Sequence, residues 1–453
     1  MADERLASLT ATEAASKIAT GAISIEQYAR ACLERIDAFD REIKAFVHID
    51  RDHVLAQARA LEKRRAEGRF IGALHGVPLA IKDIIDTADY ATELGSPLCA
   101  GRRPRHDATV VAKLRAAGAI IIGKTVTTEF AYYHPGPTRN PRDPRRTPGG
   151  SSSGSAAAVA SDMVPLALGS QTNGSTIRPG AFCGVFAIKP THGLISRSGI
   201  LTLSPKLDHV GAFARSLADL ALILDVIAGP DVADPDTSPF AAPNFREVQR
   251  ERPPLGPRFA FVRTPVWHKA DADTRTAFEQ FARALGPAAA EIDLGEIFAE
   301  AWDVHRTIMA TDMAHHLASL VTHGEPSATM RELLAHGRSI KALDYLAAVA
   351  KADRYAARLA EILAEYDGLL TPATAGVAPK GLNATGDPAF CTLWTLTGLP
   401  SLSLPLLRGQ DGLPLGVQLV GAAGQDAVLL RTAAALVSMV GEANARPATD
   451  RAS

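Results

Sequence analysis

Three segments far apart in the chain carry hydroxyls, a lysine and clustered glycines: Ala80-Ile-Lys82-Asp83, Gly149-Gly-Ser151-Ser-Ser-Gly-Ser155 and Gly169-Ser-Gln-Thr-Asn-Gly-Ser175-Thr-Ile-Arg178-Pro. Serine and lysine together suit nucleophilic chemistry. A serine hydroxyl is a poor nucleophile until a base takes its proton, and a lysine can be that base only when neutral. At its reference pKa of about 10.4 a lysine is charged, so it must be desolvated to serve. Lys82 follows the apolar run Val77-Pro-Leu-Ala-Ile81, which reads as a buried strand and puts the amine at the edge of a core. A second serine can relay the proton, because a hydroxyl both donates and accepts.

Two other motifs match by letter and fail on context. Gly118-Ala-Ile-Ile-Ile-Gly-Lys-Thr125 satisfies the phosphate-loop pattern, which needs a strand before its first glycine and a helix after its lysine. Here a helix precedes Gly118 and the intervening residues read as a strand, so nucleotide binding is not expected. Gly150-Ser-Ser-Ser-Gly154 satisfies the nucleophile-elbow pattern with Ser152 at its centre, but a proline- and arginine-rich stretch precedes it where a strand is required. A Ser-His-Asp hydrolase built on Ser152 is therefore not expected.

Taken in order, the three segments resemble the amidase signature family of serine hydrolases, in a malonamidase-like variant of its motif. Lys82 and Ser151 are 69 residues apart, and Ser151 and Ser175 are 24 apart. The likeness continues through Ala181-Phe-Cys-Gly184, Lys189-Pro-Thr191, Leu207-Asp-His-Val-Gly211, Gly398-Leu-Pro400 and Gly412-Leu-Pro-Leu-Gly-Val-Gln-Leu-Val420. The resemblance implies Ser175 as nucleophile, Ser151 on a cis peptide bond as relay, and Lys82 as base. It also implies an oxyanion hole from the backbone of Thr172, Asn173, Gly174 and Ser175. Asn173 stands where many relatives have Gly, and Gln171 where many have Asp. Asn tolerates the left-handed region, so such a turn can survive the exchange. In malonamidase-like relatives the arginine matching Arg178 binds a substrate carboxylate; the competing reading has Arg178 brace the turn before Pro179. Phe130, Tyr132 and Tyr133, with the stripe Trp302, His305, Met309 and Met313, suit an acyl pocket, and core packing is the competing reading for the stripe.

The reaction so implied is hydrolysis of a small carboxylic amide through an acyl-enzyme, releasing ammonia or an amine, with no metal and no organic cofactor. Carbamates, anilides and esters would use the same machinery. The family also includes the A-type subunit of glutamyl-tRNA amidotransferase. Gln171 points away from that role, as does Ile177 where the pattern of that protein has Arg two residues after the nucleophile. The small-molecule amide is the expected partner; the resemblance is compatible with a homodimer, and the sequence leaves the oligomeric state open.

The fold it implies is α/β, an extended mixed β-sheet covered on both faces by helices, with residues 1–453 as a single domain. Within it, 1–69 form an N-terminal helical region, 70–230 the signature core, 231–365 a variable and mostly helical region, 366–444 the rest of the core, and 445–453 a disordered tail. The residues agree with this outline. Thr10 or Thr12 suits the cap of a first helix, and Ser24-Ile-Glu-Gln27 has the spacing of a capping box for a second. Strands are expected at 77–81, 119–122, 258–262, 368–371, 401–404 and 416–420, with helices at 108–117, from 271 to 365 and from 426. His134 to Gly150, with five prolines and four arginines, reads as a long loop.

Composition limits the rivals. The 453 residues hold 48 Lys+Arg against 49 Asp+Glu, a net charge of −1, so no basic excess draws nucleic acid or an anionic membrane. The acidic N-terminus does not read as a secretion signal, and apolar runs such as Leu217 to Gly229 are broken by Asp219 and Asp225, so no membrane span is expected. Cys32, Cys99, Cys183 and Cys391 form no CxxC pair, which argues against a zinc site and fits a reducing cytoplasm.

Overall fold

The computed structural model describes residues 6–239 and 241–445. Eleven strands form one mixed sheet: β1 (Phe46–Ile49), β2 (Pro78–Lys82), β3 (Ile120–Thr125), β4 (Leu166–Gln171), β5 (Phe186–Lys189), β6 (His209–Ala214), β7 (Phe259–Arg263), β8 (Ala289–Asp293), β9 (Gly368–Pro372), β10 (Ser401–Arg408) and β11 (Pro414–Val420). Their spatial order is β1-β3-β2-β4-β6-β5-β10-β11-β9-β7-β8. The sheet is parallel at β3-β2-β4 and at β9-β7-β8, and antiparallel elsewhere.

The central strands read as nearly continuous apolar runs because both of their faces are covered. Alternate residues feed two cores. Leu79, Ile81, Ile121, Leu166 and Leu168 join one, with helices Thr109–Ala116, Leu217–Ile227 and Asp426–Ala445. Ala80, Ile120, Ile122 and Ala167 join the other, with helices Ile25–Ile43 and Ser153–Ala160. Each fully buried Leu or Ile contributes about 1.5–3 kcal/mol.

Thr10 and Ser24 both form capping boxes, with Glu13 and Gln27. Five strands lie outside those expected: β4, β5 and β6 within the signature core, and β1 and β8. β1 interrupts the N-terminal helices and pairs antiparallel with β3; Phe46-Val-His-Ile49 lacks the alternation that marks a strand, since it lies at the sheet edge and is only partly covered. β8 lies inside the region expected to be helical, where Ala-Ala-Glu-Ile-Asp has weak strand propensity and forms a parallel outer edge on β7. A short helix, Phe245–Arg250, precedes β7. Of the tail expected to be disordered, 446–453 lie outside the described residues.

The loop 134–150 contains no helix or strand, yet it is tied down. Arg142 Nε donates to Cys183 O at 2.9 Å, Arg146 to Ala378 O at 2.6 Å, and Asn140 Nδ2 to Phe182 O at 3.0 Å. Those anchors deliver Gly149-Gly-Ser151 to the carboxyl ends of β2 and β4. Ligands of open α/β sheets bind at such strand ends.

Candidate active site

Lys82 is the last residue of β2. Parallel pairing aligns Ile81 with Leu168, which brings Ser170 of β4 alongside the lysine. Lys82 is 0% exposed, and its Nζ donates to Ser151 Oγ and to Ser170 Oγ, each at 2.7 Å. Burial pushes its pKa well below the ordinary lysine value, and the carboxylate of Asp208 opposes that shift. Asp208 is itself raised to about 6 by burial, against hydrogen bonds from Thr172, Ser204 and Leu203. The Gly150–Ser151 peptide is cis.

The turn Thr172–Ser175 leaves the end of β4 and is clamped from four sides. Thr172 Oγ1 donates to Asp208 Oδ1 at 2.6 Å, which follows from the antiparallel alignment of Gln171 with His209. His305 Nε2 donates to Thr172 O at 2.8 Å. Thr395, on helix Ala389–Leu396, donates to Asn173 O. Gln171 Oε1 accepts from the backbone N–H of Thr176 and of Ile177 at 2.8 and 2.9 Å, and its Nε2 donates to Thr395 Oγ1. Gly174 fits because it passes close to that helix: a Cβ there would lie 3.0 Å from Pro388 Cβ. The backbone N–H groups of Asn173, Gly174 and Ser175 meet no acceptor among the described residues, so they are available to a developing oxyanion. Asn173 is not among the residues with positive φ, so the turn accommodates it without using the tolerance of Asn for the left-handed region. Its side chain bonds across the turn instead: Thr392 Oγ1 donates to Asn173 Oδ1 at 2.8 Å, and Asn173 Nδ2 donates to Tyr133 Oη at 3.2 Å.

Ser175 Oγ makes no hydrogen bond among the described residues, whereas Ser175 O accepts from Ser152 N–H at 3.3 Å, which holds the two serine segments together. Ser152 is fully buried. Its hydroxyl donates to Ser170 O and accepts from Ser170 N–H, both at 3.2 Å, so it ties helix Ser153–Ala160 to β4. The last glycine of the elbow-like motif, Gly154, is there for packing, since a Cβ would lie 2.1 Å from Ala45 O. Lys124 of the phosphate-loop match sits inside β3, fully buried, and donates to Ile85 O at 2.8 Å.

Arg178 is 1% exposed, and one of its terminal nitrogens donates to Gly150 O at 2.7 Å and to Thr385 Oγ1 at 3.1 Å. Its Nε and other terminal nitrogen are buried without a partner among the described residues, and burial lowers its pKa. Tyr133 and Trp302 line an open cleft of about 310 Å³ with Thr385 and Pro388. Tyr132 stacks on Tyr133 at 4.4 Å between centroids. Phe130, Met309 and Met313 are buried in the core and do not line this cleft. His305, held neutral by burial that pushes its pKa to about 4, reaches the turn rather than the cleft. A second cavity, about 410 Å³, touches Ser170, Thr172 and Asp208 from another side. Ser170 and Asp208 were not singled out by the sequence. Ser170 is flagged only by its place in Gly169-Ser-Gln171, and Asp208 only by its place in Leu207-Asp-His209.

Comparison with known proteins places these residues in context. The family model described as Amidase matches residues 27–430. The A-type subunit of the glutamyl-tRNA(Gln) amidotransferase of Chloroflexus aurantiacus is 35% identical, across 93% of this chain and 95% of that protein. The native peptide amidase of Stenotrophomonas maltophilia superposes with a TM-score of 0.83 at 31% identity, covering 97% of this chain and 98% of that one. A structure described as a vestigial protein complex that reveals the evolutionary origins of an s-triazine catabolic enzyme superposes with a TM-score of 0.88 at 30% identity, covering 95% and 98%.

Proposed function

The chain belongs to the amidase family, and from that premise we propose that it hydrolyses a small carboxylic amide through an acyl-enzyme on Ser175. The observation that carries this reading is the desolvated amine of Lys82, 2.7 Å from Ser151 Oγ and beside the turn that presents Ser175. In its neutral form Lys82 can keep one N–H on Ser170 and turn its lone pair toward Ser151, so that the 2.7 Å contact then runs from the Ser151 O–H to Nζ.

As Ser175 Oγ bonds to the amide carbon, its proton passes to Ser151 and that of Ser151 to Lys82. Negative charge on the former carbonyl oxygen meets the N–H groups of Asn173, Gly174 and Ser175. Loss of one such donor typically costs about 2.7–4 kcal/mol of transition-state stabilisation. The proton on Lys82 then returns through Ser151 to the nitrogen of the leaving group, the C–N bond breaks, and ammonia or an amine departs. Water, deprotonated by the same relay, adds to the ester and restores the Ser175 hydroxyl, so one amide and one water give one acid and one amine.

A role like that of the Chloroflexus relative, in a tRNA amidotransferase, is the second reading, and the identity to that relative is what favours it. Against it stand Gln171 and the Thr176-Ile177-Arg178 order after Ser175. A panel of aliphatic, aryl, dicarboxylic-monoamide and carbamate substrates separates the two. Turnover of an amide by the isolated chain, lost in Ser175→Ala, supports the hydrolase. Amide turnover that arises only with charged tRNA and a partner protein supports the second reading.

A further inference from the structure

We propose that Tyr133, oriented by Asn173, is a specificity-determining residue whose hydroxyl donates to an oxygen of the substrate outside the scissile amide. The inference rests on the hydrolase reading and extends it to substrate class: amides that carry a second oxygen acceptor.

Three observations converge on this hydroxyl. Asn173, in the nucleophile turn, spends both ends of its amide: Oδ1 accepts from Thr392 and Nδ2 donates to Tyr133 Oη at 3.2 Å. Tyr133 Oη is therefore an acceptor within the protein, and its own O–H meets no acceptor among the described residues. The ring lines the open cleft that Trp302 and Thr385 also border, and its hydroxyl touches Asn173 of the turn that holds Ser175. Burial raises the phenol pKa, so the group keeps its proton and stays a donor.

The backbone before Tyr133 is bent to place it. Phe130 and Ala131 are consecutive non-glycine residues in the left-handed region, at φ 45° and 56°. Such conformations are strained for residues with a Cβ and persist where the surroundings impose them. Here Phe130 N–H donates to Leu94 O at 2.8 Å, and Glu129 N–H donates to His134 O at 3.1 Å, which closes the segment around Tyr132 and Tyr133. Tyr132 then stacks on Tyr133 with a 40° interplanar angle and restricts its swing. A fixed donor left unpaired penalises any substrate that offers it no acceptor, which is how a site discriminates by more than size.

The test compares wild type with Tyr133→Phe on three matched primary amides, whose far ends carry a carboxylate, a neutral carboxamide or an alkyl group. The preference in kcat/KM for an acceptor-bearing amide over the alkyl amide should fall about tenfold in Tyr133→Phe, through KM. A fall with the carboxylate alone identifies an anionic acceptor, and a fall with both identifies a carbonyl oxygen. An unchanged preference, or an equal loss on all three amides, overturns the proposal. Calorimetric binding of the same amides to Ser175→Ala, with and without Tyr133→Phe, gives a readout that does not need turnover. If wild type hydrolyses none of the three, the hydrolase reading fails. A tenfold weaker binding of the acceptor-bearing amides would still uphold Tyr133, and no binding of either would overturn it.

Discussion

Ser175 and Ser152 lie in adjoining segments, and they answer differently to the same substitution. Ser175→Ala removes the proposed nucleophile and should reduce amide turnover by about a thousandfold or more, with little change in thermal stability. Ser152→Ala strands the buried N–H and C=O of Ser170, and should cost about 1–3 kcal/mol in denaturant titrations while leaving Ser175 reactive. The base carries a pH signature. With neutral Lys82 as the proposed base and its pKa lowered, turnover should rise with pH along a limb placed below the ordinary lysine range. The negative charge of Asp208 favours charged Lys82, so Asp208→Asn should move that limb to lower pH; an unmoved limb would uncouple the two residues. Lys82→Arg should lose most of the rate, because a guanidinium stays protonated. For Arg178 the geometry favours bracing, since one nitrogen holds Gly150 O. Arg178→Ala should then lower turnover on all amides and lower the unfolding temperature, whereas a KM effect confined to carboxylate-bearing amides would put the substrate on its two unpartnered nitrogens. Lys82, Ser151 and Ser175 were singled out because their three segments, taken in order, resemble the amidase signature family, and the structure brings Lys82 and Ser151 into contact. Ser170 and Asp208 were not, because they meet Lys82 and Thr172 through strand register, which no local pattern encodes.

At the scale of elements, β3 shows why a letter match can mislead. Gly118-Ala-Ile-Ile-Ile-Gly-Lys-Thr125 becomes a helix stop and a buried strand, and Lys124 donates to Ile85 O and pairs with Asp83 at 3.5 Å. Lys124→Ala should destabilise the fold by about 3–5 kcal/mol by leaving Asp83 buried and unpaired, and ATP should not shift the wild-type unfolding temperature. Strands 77–81 and 119–122 were legible because both faces are buried and the apolar runs are dense. β1 and β8 were hidden because edge strands carry half the apolar signal. The helix Ala301–His316 comes from the segment that resembled the family least, yet it supplies both Trp302 to the cleft and His305 to the nucleophile turn. Its periodic stripe showed that it would pack, and only the fold shows which of its residues reach the site.

For the whole molecule, one sheet runs from β1 to β8, and strands from before 230 and after 366 meet at the β5–β10 pair. The nucleophile turn depends on that junction, because Thr392 and Thr395 bind Asn173 from the C-terminal part of the chain. We therefore expect residues 1–453 to unfold in a single calorimetric transition with loss of activity at the same temperature; two separate transitions would divide the chain into independent domains. The cover of both faces of the sheet came with the family resemblance, and helices such as Ile25–Ile43 were legible from periodicity and caps. The strand order was not, since neighbours such as β5 and β10 or β4 and β6 are not consecutive in the chain, and nothing local to either strand names its partner. The measurement that bears most directly on the proposed reaction is the trapped acyl-enzyme: the protein is mixed with a turned-over amide or an activated ester of the same acid, quenched in acid, digested and mapped by mass. The acyl mass should appear on Ser175, vanish in Ser175→Ala and accumulate far more slowly in Lys82→Ala. An acyl group on Ser152, or full turnover in Ser175→Ala, would contradict the assignment of nucleophile and base.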